Sequence, residues 1–302
     1  MGQTESFISS AFDNNTKLCK ALLIGINYTG TSQDLQSKSN SSLKNLELNG
    51  CINDVENLVE LLTENELYSD DDITVMTDNL VGTNLYPTKQ NILDQIQLLI
   101  DFANQHPTES VKLFLSYSGH GSQSFSLNRK EIDGRDEVLC PIDYLEGGYI
   151  VDDDIRVLLD KLPSNAFLTF ICDSCNSGTI CDLRYSLKYS LRTGDYDFLS
   201  DYNYKDTISN VVVFSGCRDD QTSADAYQPT SSVDSEESGS SWKLEYEYQG
   251  AMTASFIKNY TPELSYKELL QEMRKYLSEN NYTQVPQLSS GRYMNPNSLI
   301  YL

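Results

Sequence analysis

Residues 111–118 (VKLFLSYS), 167–174 (FLTFICDS) and 208–217 (ISNVVVFSGC) are short runs of aliphatic, β-branched and aromatic side chains, and each ends in small or polar residues. Runs this short and this apolar suit strands covered on both faces, because neither face then meets water. Between such runs lie segments with apolar residues at helical spacing. In 51–67 (CINDVENLVELLTENEL), Val55, Leu58, Leu61 and Leu62 share one face. A second pattern over 88–105 opens on Thr88, a residue type whose side chain caps a helix start. LCKALLIGI (18–26) and DITVM (72–76) read as further strands, helices are expected near 250–259 and over 265–280, and NSLIYL reads as a last extended segment. Strands alternating with amphipathic helices predict an α/β fold with a central, mostly parallel β-sheet flanked by helices on both faces.

The expected organisation is a short N-terminal extension (1–17) and a single domain over 18–302. Within that domain, 18–184 is the first half, 185–207 an exposed connection, and 208–302 the second half with a flexible loop at 226–244. Those two stretches are rich in Ser, Asp and Tyr and poor in aliphatic residues, which suits exposed loops.

A net charge of −22 argues against nucleic acid or an anionic membrane as partner, since phosphate binding needs clustered Lys and Arg. Basic peptides and metal cations fit that charge better. The seven cysteines are an odd set scattered through apolar surroundings, which points to reduced thiols inside the cell. No apolar run is long enough for a membrane helix and no secretory signal is visible, so a cytoplasmic monomer is expected. The opening MGQTES fits the N-myristoylation pattern at Gly2, but so short a match is read as chance.

Ligands of an open parallel sheet gather beyond the carboxyl ends of its strands. His120, one of only two histidines, stands there between Gly119 and Gly121. Cys175, in DSCNSG, follows the next such strand, so parallel neighbours would set thiol and imidazole side by side. Gly119, Gly121 and Gly178 offer backbone amides for an oxyanion hole. A lone cysteine in an apolar strand is usually core, and Cys172 is read that way; it is the Cys175–His120 pairing that points to nucleophilic catalysis. His106, before a proline, is expected to face solvent.

Eight ordered stretches carry a family resemblance: LLIGINY (22–28), LNGCINDV (48–55), YSGHGSQ (117–123), DGRDEVLCPIDY (133–144), IVDDDI (150–155), DSCNSG (173–178), SGCRDDQTSADA (215–226) and GAMT (250–253). In these the sequence resembles a metacaspase of the caspase-like clan of cysteine peptidases. The resemblance implies a caspase–haemoglobinase fold, a His120/Cys175 dyad and cleavage after Arg or Lys in protein or peptide substrates. It implies that Asp54, Ser118 and Asp173 line the primary pocket, and a buried carboxylate pair is chemically suited to a guanidinium or ammonium group. It also implies an activating Ca2+ held by Asp136, Asp152, Asp153 and Asp182, hard oxygen ligands on loops. Read without the resemblance, Asp54 is a charge at a helix start and the other four are solvated acidic turns.

Asn176 stands where the family commonly has histidine. The chain resembles type I members, without their long prodomain. Self-processing is expected at Arg184, Lys188, Arg192 or Lys205 in or beside the connection. An aspartate-specific caspase is disfavoured, because carboxylates and not arginines flank the nucleophile. A catalytically weak or inactive caspase-like scaffold that binds protein partners is the alternative.

Overall fold

The computed structural model describes residues 18–30, 47–125, 135–174, 178–216, 225–231 and 244–302. Its strands are β1 (Cys19–Gly25), β2 (Ile73–Thr77), β3 (Val111–Ser118), β4 (Gly121–Phe125), β5 (Arg135–Leu139), β6 (Ile150–Val151), β7 (Ala166–Asp173), β8 (Tyr185–Ser190), β9 (Asp195–Ser200), β10 (Asn210–Ser215), β11 (Asp225–Ser231), β12 (Leu244–Gly250) and β13 (Gln287–Ser290). The longer helices are α1 (Cys51–Glu64), α2 (Lys89–Asn104), α3 (Asp152–Leu159), α4 (Ala251–Asn259) and α5 (Tyr266–Glu279).

Eight strands form the main sheet in the order β2-β1-β3-β7-β10-β13-β8-β9. The pairings from β2 to β10 are parallel, and β13, β8 and β9 add antiparallel. The runs at 111–118 and 167–174 become β3 and β7 in direct register, with Ser118 opposite Asp173.

Two cores form because the central strands bury both faces. On one face Leu22, Ile24, Leu113, Leu115 and Phe170 pack with Ile92, Ile96 and Leu99 of α2 and Ile155 and Leu159 of α3. On the other, Leu23, Phe114, Ile171 and Phe214 pack with Val55 and Leu58 of α1, Phe256 of α4 and Leu269, Leu270 and Met273 of α5. Each fully buried aliphatic or aromatic side chain of this kind stabilises the fold by about 1.5–3 kcal/mol before entropy is counted. Thr88 caps α2 by accepting a hydrogen bond from the Asn91 amide at 3.3 Å.

Several expectations need correction. The stretch 185–207 is not simply an exposed connection: 185–200 folds into the β8–β9 hairpin that extends the sheet, anchored by the buried cross-strand pair Leu187 and Phe198. Tyr185, Leu187 and Tyr189 alternate at strand spacing, as do Tyr196 and Phe198, but the Ser, Asp and Lys between them give the stretch the composition of a loop. Within 226–244, residues 226–231 belong to β11, paired with β12, whereas 232–243 lie outside the described residues. NSLIYL forms only an isolated bridge, Ser265 to Leu299. His106 is half-buried against Phe102, ring centroids 5.0 Å apart. Cys172 is fully buried, as core reading required.

Candidate active site

His120 follows β3 directly and is half-buried. Its backbone is held by two phenols. The His120 amide donates to Tyr28 Oη at 2.9 Å, and Tyr117 Oη donates toward the His120 and Cys140 carbonyls, each at 3.0 Å. Tyr28 Oη in turn donates to the Cys140 carbonyl at 2.5 Å, and its ring lies 4.6 Å from the imidazole, centroid to centroid. Burial pushes both phenols well above their ordinary value, so they stay protonated donors.

Tyr28 reaches this position from an uncommon backbone conformation, φ +57°. The buried Asp78 carboxylate fixes that turn by accepting the amides on either side, Asn27 at 3.3 Å and Thr29 at 3.0 Å. The Asn27 side chain accepts the Cys51 and Ile52 amides, tying the turn to the start of α1. In the sequence the only signal for Tyr28 is an aromatic residue just past a glycine-bearing strand, which assigns it no task.

Asp54, in the first turn of α1, Ser118, at the end of β3, and Asp173, at the end of β7, come together and are 1%, 5% and 3% exposed. Ser118 Oγ donates to Asp54 Oδ2. The Gly250 amide donates to Asp54 Oδ1 at 2.8 Å, and the Thr253 amide to Asp173 Oδ2 at 2.8 Å. Gly250 is required here: a Cβ on it would lie 2.6 Å from Asp54 Oδ2 and closer still to Asp173 Oδ2. The two carboxylates therefore flank one glycine at the β12–α4 junction. Gly250 and Thr253 belong to GAMT, whose role sequence reading left blank.

The other aspartates lie on the opposite face of the sheet. Asp152, at the start of α3, is 1% exposed and accepts the Glu137 amide at 2.9 Å and the Asp153 amide at 2.7 Å. Burial, then the charges of Asp182 and Asp136, push its carboxyl up to about 7. Asp136 and Asp182 are buried, Asp153 half-buried, and Asp182 takes a left-handed φ of +49°. The donors are all hard oxygens held near one another against their own repulsion, which suits a Ca2+ ion chemically. Among the described residues, however, no group of three or more His, Cys, Asp or Glu side chains is gathered tightly enough to hold a metal.

Glu137, also missed in sequence, is 2% exposed and accepts Thr179 Oγ1 at 2.5 Å. It thereby links the Asp152 neighbourhood to the segment that begins at Gly178. Cys175 and Asn176 lie outside the described residues.

Residues 19–184 match the family described as metacaspase, peptidase C14 domain. Metacaspase-1 of Meyerozyma guilliermondii is 35% identical over 90% of this chain and 69% of its own length.

The chain belongs to the metacaspase family. It is accordingly a cysteine peptidase with the caspase-like α/β fold, acting on protein substrates. Metacaspase-1 of Schizosaccharomyces pombe is 34% identical over 94% of this chain and 69% of its own length. Among solved structures, a protein of Geobacter sulfurreducens shares the fold with a TM-score of 0.57 at 19% identity, over 94% of this chain and 99% of its own.

One expectation for this metacaspase fails. The Gly119 amide is not available to an oxyanion, because it donates to the Asp173 carbonyl at 3.3 Å, closing β3 onto β7. Gly121 sits opposite Leu139 in the β4–β5 ladder. No helix among the described residues is long and apolar enough to cross a membrane. Cys19, Cys51, Cys140, Cys172 and Cys181 are buried, and no disulfide joins any two of these described cysteines.

Proposed function

We propose that this metacaspase is a calcium-dependent cysteine endopeptidase that cleaves after Arg or Lys. The observation that carries the reading is the convergence of Asp54, Ser118 and Asp173 around Gly250, next to the strand end that bears His120. Two buried carboxylates held by backbone donors form a receptor for one cation, and a substrate guanidinium answers both charge and geometry. An acidic substrate side chain would be repelled.

In the proposed reaction Cys175 loses its proton to His120 and its sulfur attacks the substrate carbonyl. The imidazolium then gives that proton to the departing amine. Water, deprotonated by His120, releases the acyl group and regenerates the thiol. Tyr28 and Tyr117 contribute by holding the His120 backbone in place.

Asp136, Asp152, Asp153 and Asp182 would have to be drawn closer together to hold Ca2+, which would supply the positive charge that their repulsion calls for. The Glu137–Thr179 hydrogen bond connects that cluster to the segment following Cys175. Self-cleavage is assigned to Arg192 over Lys188, since Arg192 lies in the exposed β8–β9 turn and Lys188 within a paired strand. The enzyme is taken to work as a cytoplasmic monomer.

The deciding assay is turnover of a fluorogenic peptide with Arg at the cleaved position, in calcium and in chelator, beside Cys175→Ala. Cleavage that needs both calcium and Cys175 is the expected result. Cleavage by Cys175→Ala would overturn the nucleophile, and full activity in chelator would overturn the metal.

A further inference from the structure

A cavity of about 650 Å³ borders the segment that follows the nucleophile position, running from Gly178 and Thr179 across β8 and β13 to Arg274 of α5. Its charged walls are Lys188 and Arg274, and no Asp or Glu is among its described lining residues. That is unusual in a chain with 44 acidic residues against 22 basic ones. The rest of the lining is largely hydroxyl and amide, including Ser186, Ser289 and Gln287.

Arg274 is held in place, not loose. Its Nε and Nη2 donate to the Pro286 carbonyl at 2.9 and 2.8 Å, and its guanidinium lies 5.8 Å from the centroid of the Tyr196 ring. A guanidinium fixed by backbone and ring is preorganised toward an anion, because less side-chain entropy is lost on binding. Lys188 faces Asp197 across the β8–β9 ladder, but Asp197 does not line the cavity.

Distance ties the cavity to the reaction. Gly178 is three residues beyond Cys175, and at about 3.8 Å between successive Cα atoms the wall begins within about 11 Å of the nucleophile. An extended substrate advances about 3.3 Å per residue, so side chains roughly two to four positions from the scissile bond reach it.

We infer that this cavity is an anion-accepting subsite that receives an acidic side chain of the substrate. The inference rests on the peptidase reading above and refines it: the substrate segment carries a basic residue at the cleaved position and Asp or Glu a few residues away. Two sites of opposite sign would fix the direction and register of the bound peptide.

The test uses the full chain in calcium with peptides that share Arg at the cleaved position and carry Glu, Gln or Lys two to four residues away on either side. The wild type is expected to favour Glu over Gln about tenfold at one of these positions, the factor for one charge-assisted contact of about 1.4 kcal/mol. Lys188→Glu should abolish or invert that preference while still cleaving the Gln peptide. Arg274→Gln should weaken it too, but it also removes the Pro286 contacts, so the exposed Lys188 is the cleaner variant. Equal cleavage of Glu and Gln peptides at every position, or an undiminished preference in Lys188→Glu, would overturn the subsite and leave the peptidase reading standing. If no Arg peptide is cleaved, the peptidase reading fails, and binding of a Glu-rich, Arg-free peptide to the Cys175→Ala protein judges the cavity alone. Saturable binding lost in Lys188→Glu supports it, and no binding overturns it.

Discussion

Two clusters of buried aspartates lie beyond the same end of the sheet, on opposite faces, and they are built on different principles. Around Gly250, Asp54 and Asp173 receive hydrogen bonds from Ser118 and from the Gly250 and Thr253 amides. Around the start of α3, Asp152 is also hydrogen-bonded, yet the charges of Asp182 and Asp136 drive its carboxyl up to about 7. On the proposed reading the first cluster is a preformed receptor for a substrate cation. The second carries its own repulsion until a cation or a proton relieves it, so the proposed function gives the same residue type recognition in one place and control in the other.

The largest effects should come from breaking the preformed cluster. Gly250→Ala drives a methyl group into both carboxylates, and Asp173→Ala or Asp54→Ala removes a partner of the substrate cation. Each is expected to lower kcat/KM on Arg peptides by about 10²–10⁴-fold. Circular dichroism should report retained secondary structure, and an unchanged kcat/KM in Asp173→Ala would end the comparison.

A step smaller is Tyr28→Phe, which keeps the ring beside His120 but removes the acceptor of its amide and the donor to the Cys140 carbonyl. Stability should fall by about 1–3 kcal/mol in denaturant melts. Peptide kcat should fall roughly ten- to a hundredfold with little change in KM, as misplacement of a catalytic group requires. A rise in KM alone would move Tyr28 into substrate binding.

The self-opposed cluster gives a pH signature. The Asp152 carboxyl, raised to about 7, sits above its unfolded value of about 3.9, so the folded chain binds the extra proton between those limits. Stability of the calcium-free protein should therefore fall as pH rises from about 4 to about 7 and stay low above that. Asp182→Asn, which removes the largest opposing charge, should flatten this fall, and calcium should flatten it in the wild type. Thermal melts across pH check both; a slope identical in Asp182→Asn and wild type would contradict the origin assigned to it.

The smallest effect is expected at the link to the nucleophile segment. Thr179→Val removes the hydroxyl that meets Glu137 and should raise the calcium concentration for half-activity about two- to tenfold, with maximal activity largely kept. Equal calcium curves would mean the cluster acts by another route.

The fold was legible because its central strands are apolar on both faces and its helices are amphipathic, as in β3, β7 and α1. The β8–β9 hairpin was not, since its alternating Tyr185, Leu187, Tyr189 and Tyr196, Phe198 are diluted by Ser, Asp and Lys into a loop-like composition. Within the site, Asp54, Ser118 and Asp173 were placed by resemblance, and they do meet. What escaped were contacts made by tertiary approach: Gly250 against carboxylates far away in sequence, and Tyr28, whose left-handed turn depends on Asp78. Hydrogen bonds across such separations leave no local periodicity to read. The Gly119 amide was misjudged for the same reason, its acceptor being the neighbouring strand.

The central claim is that the Asp54–Asp173 pair selects a cation, and it is tested most directly by one peptide series in calcium. The peptides differ only at the cleaved position: Arg, its uncharged isostere citrulline, Lys, and Asp. Efficient cleavage after Arg and Lys, with citrulline at least about 10³-fold poorer in kcat/KM and Asp not cleaved, is the predicted outcome. Citrulline turned over as well as Arg, or efficient cleavage after Asp, would contradict it.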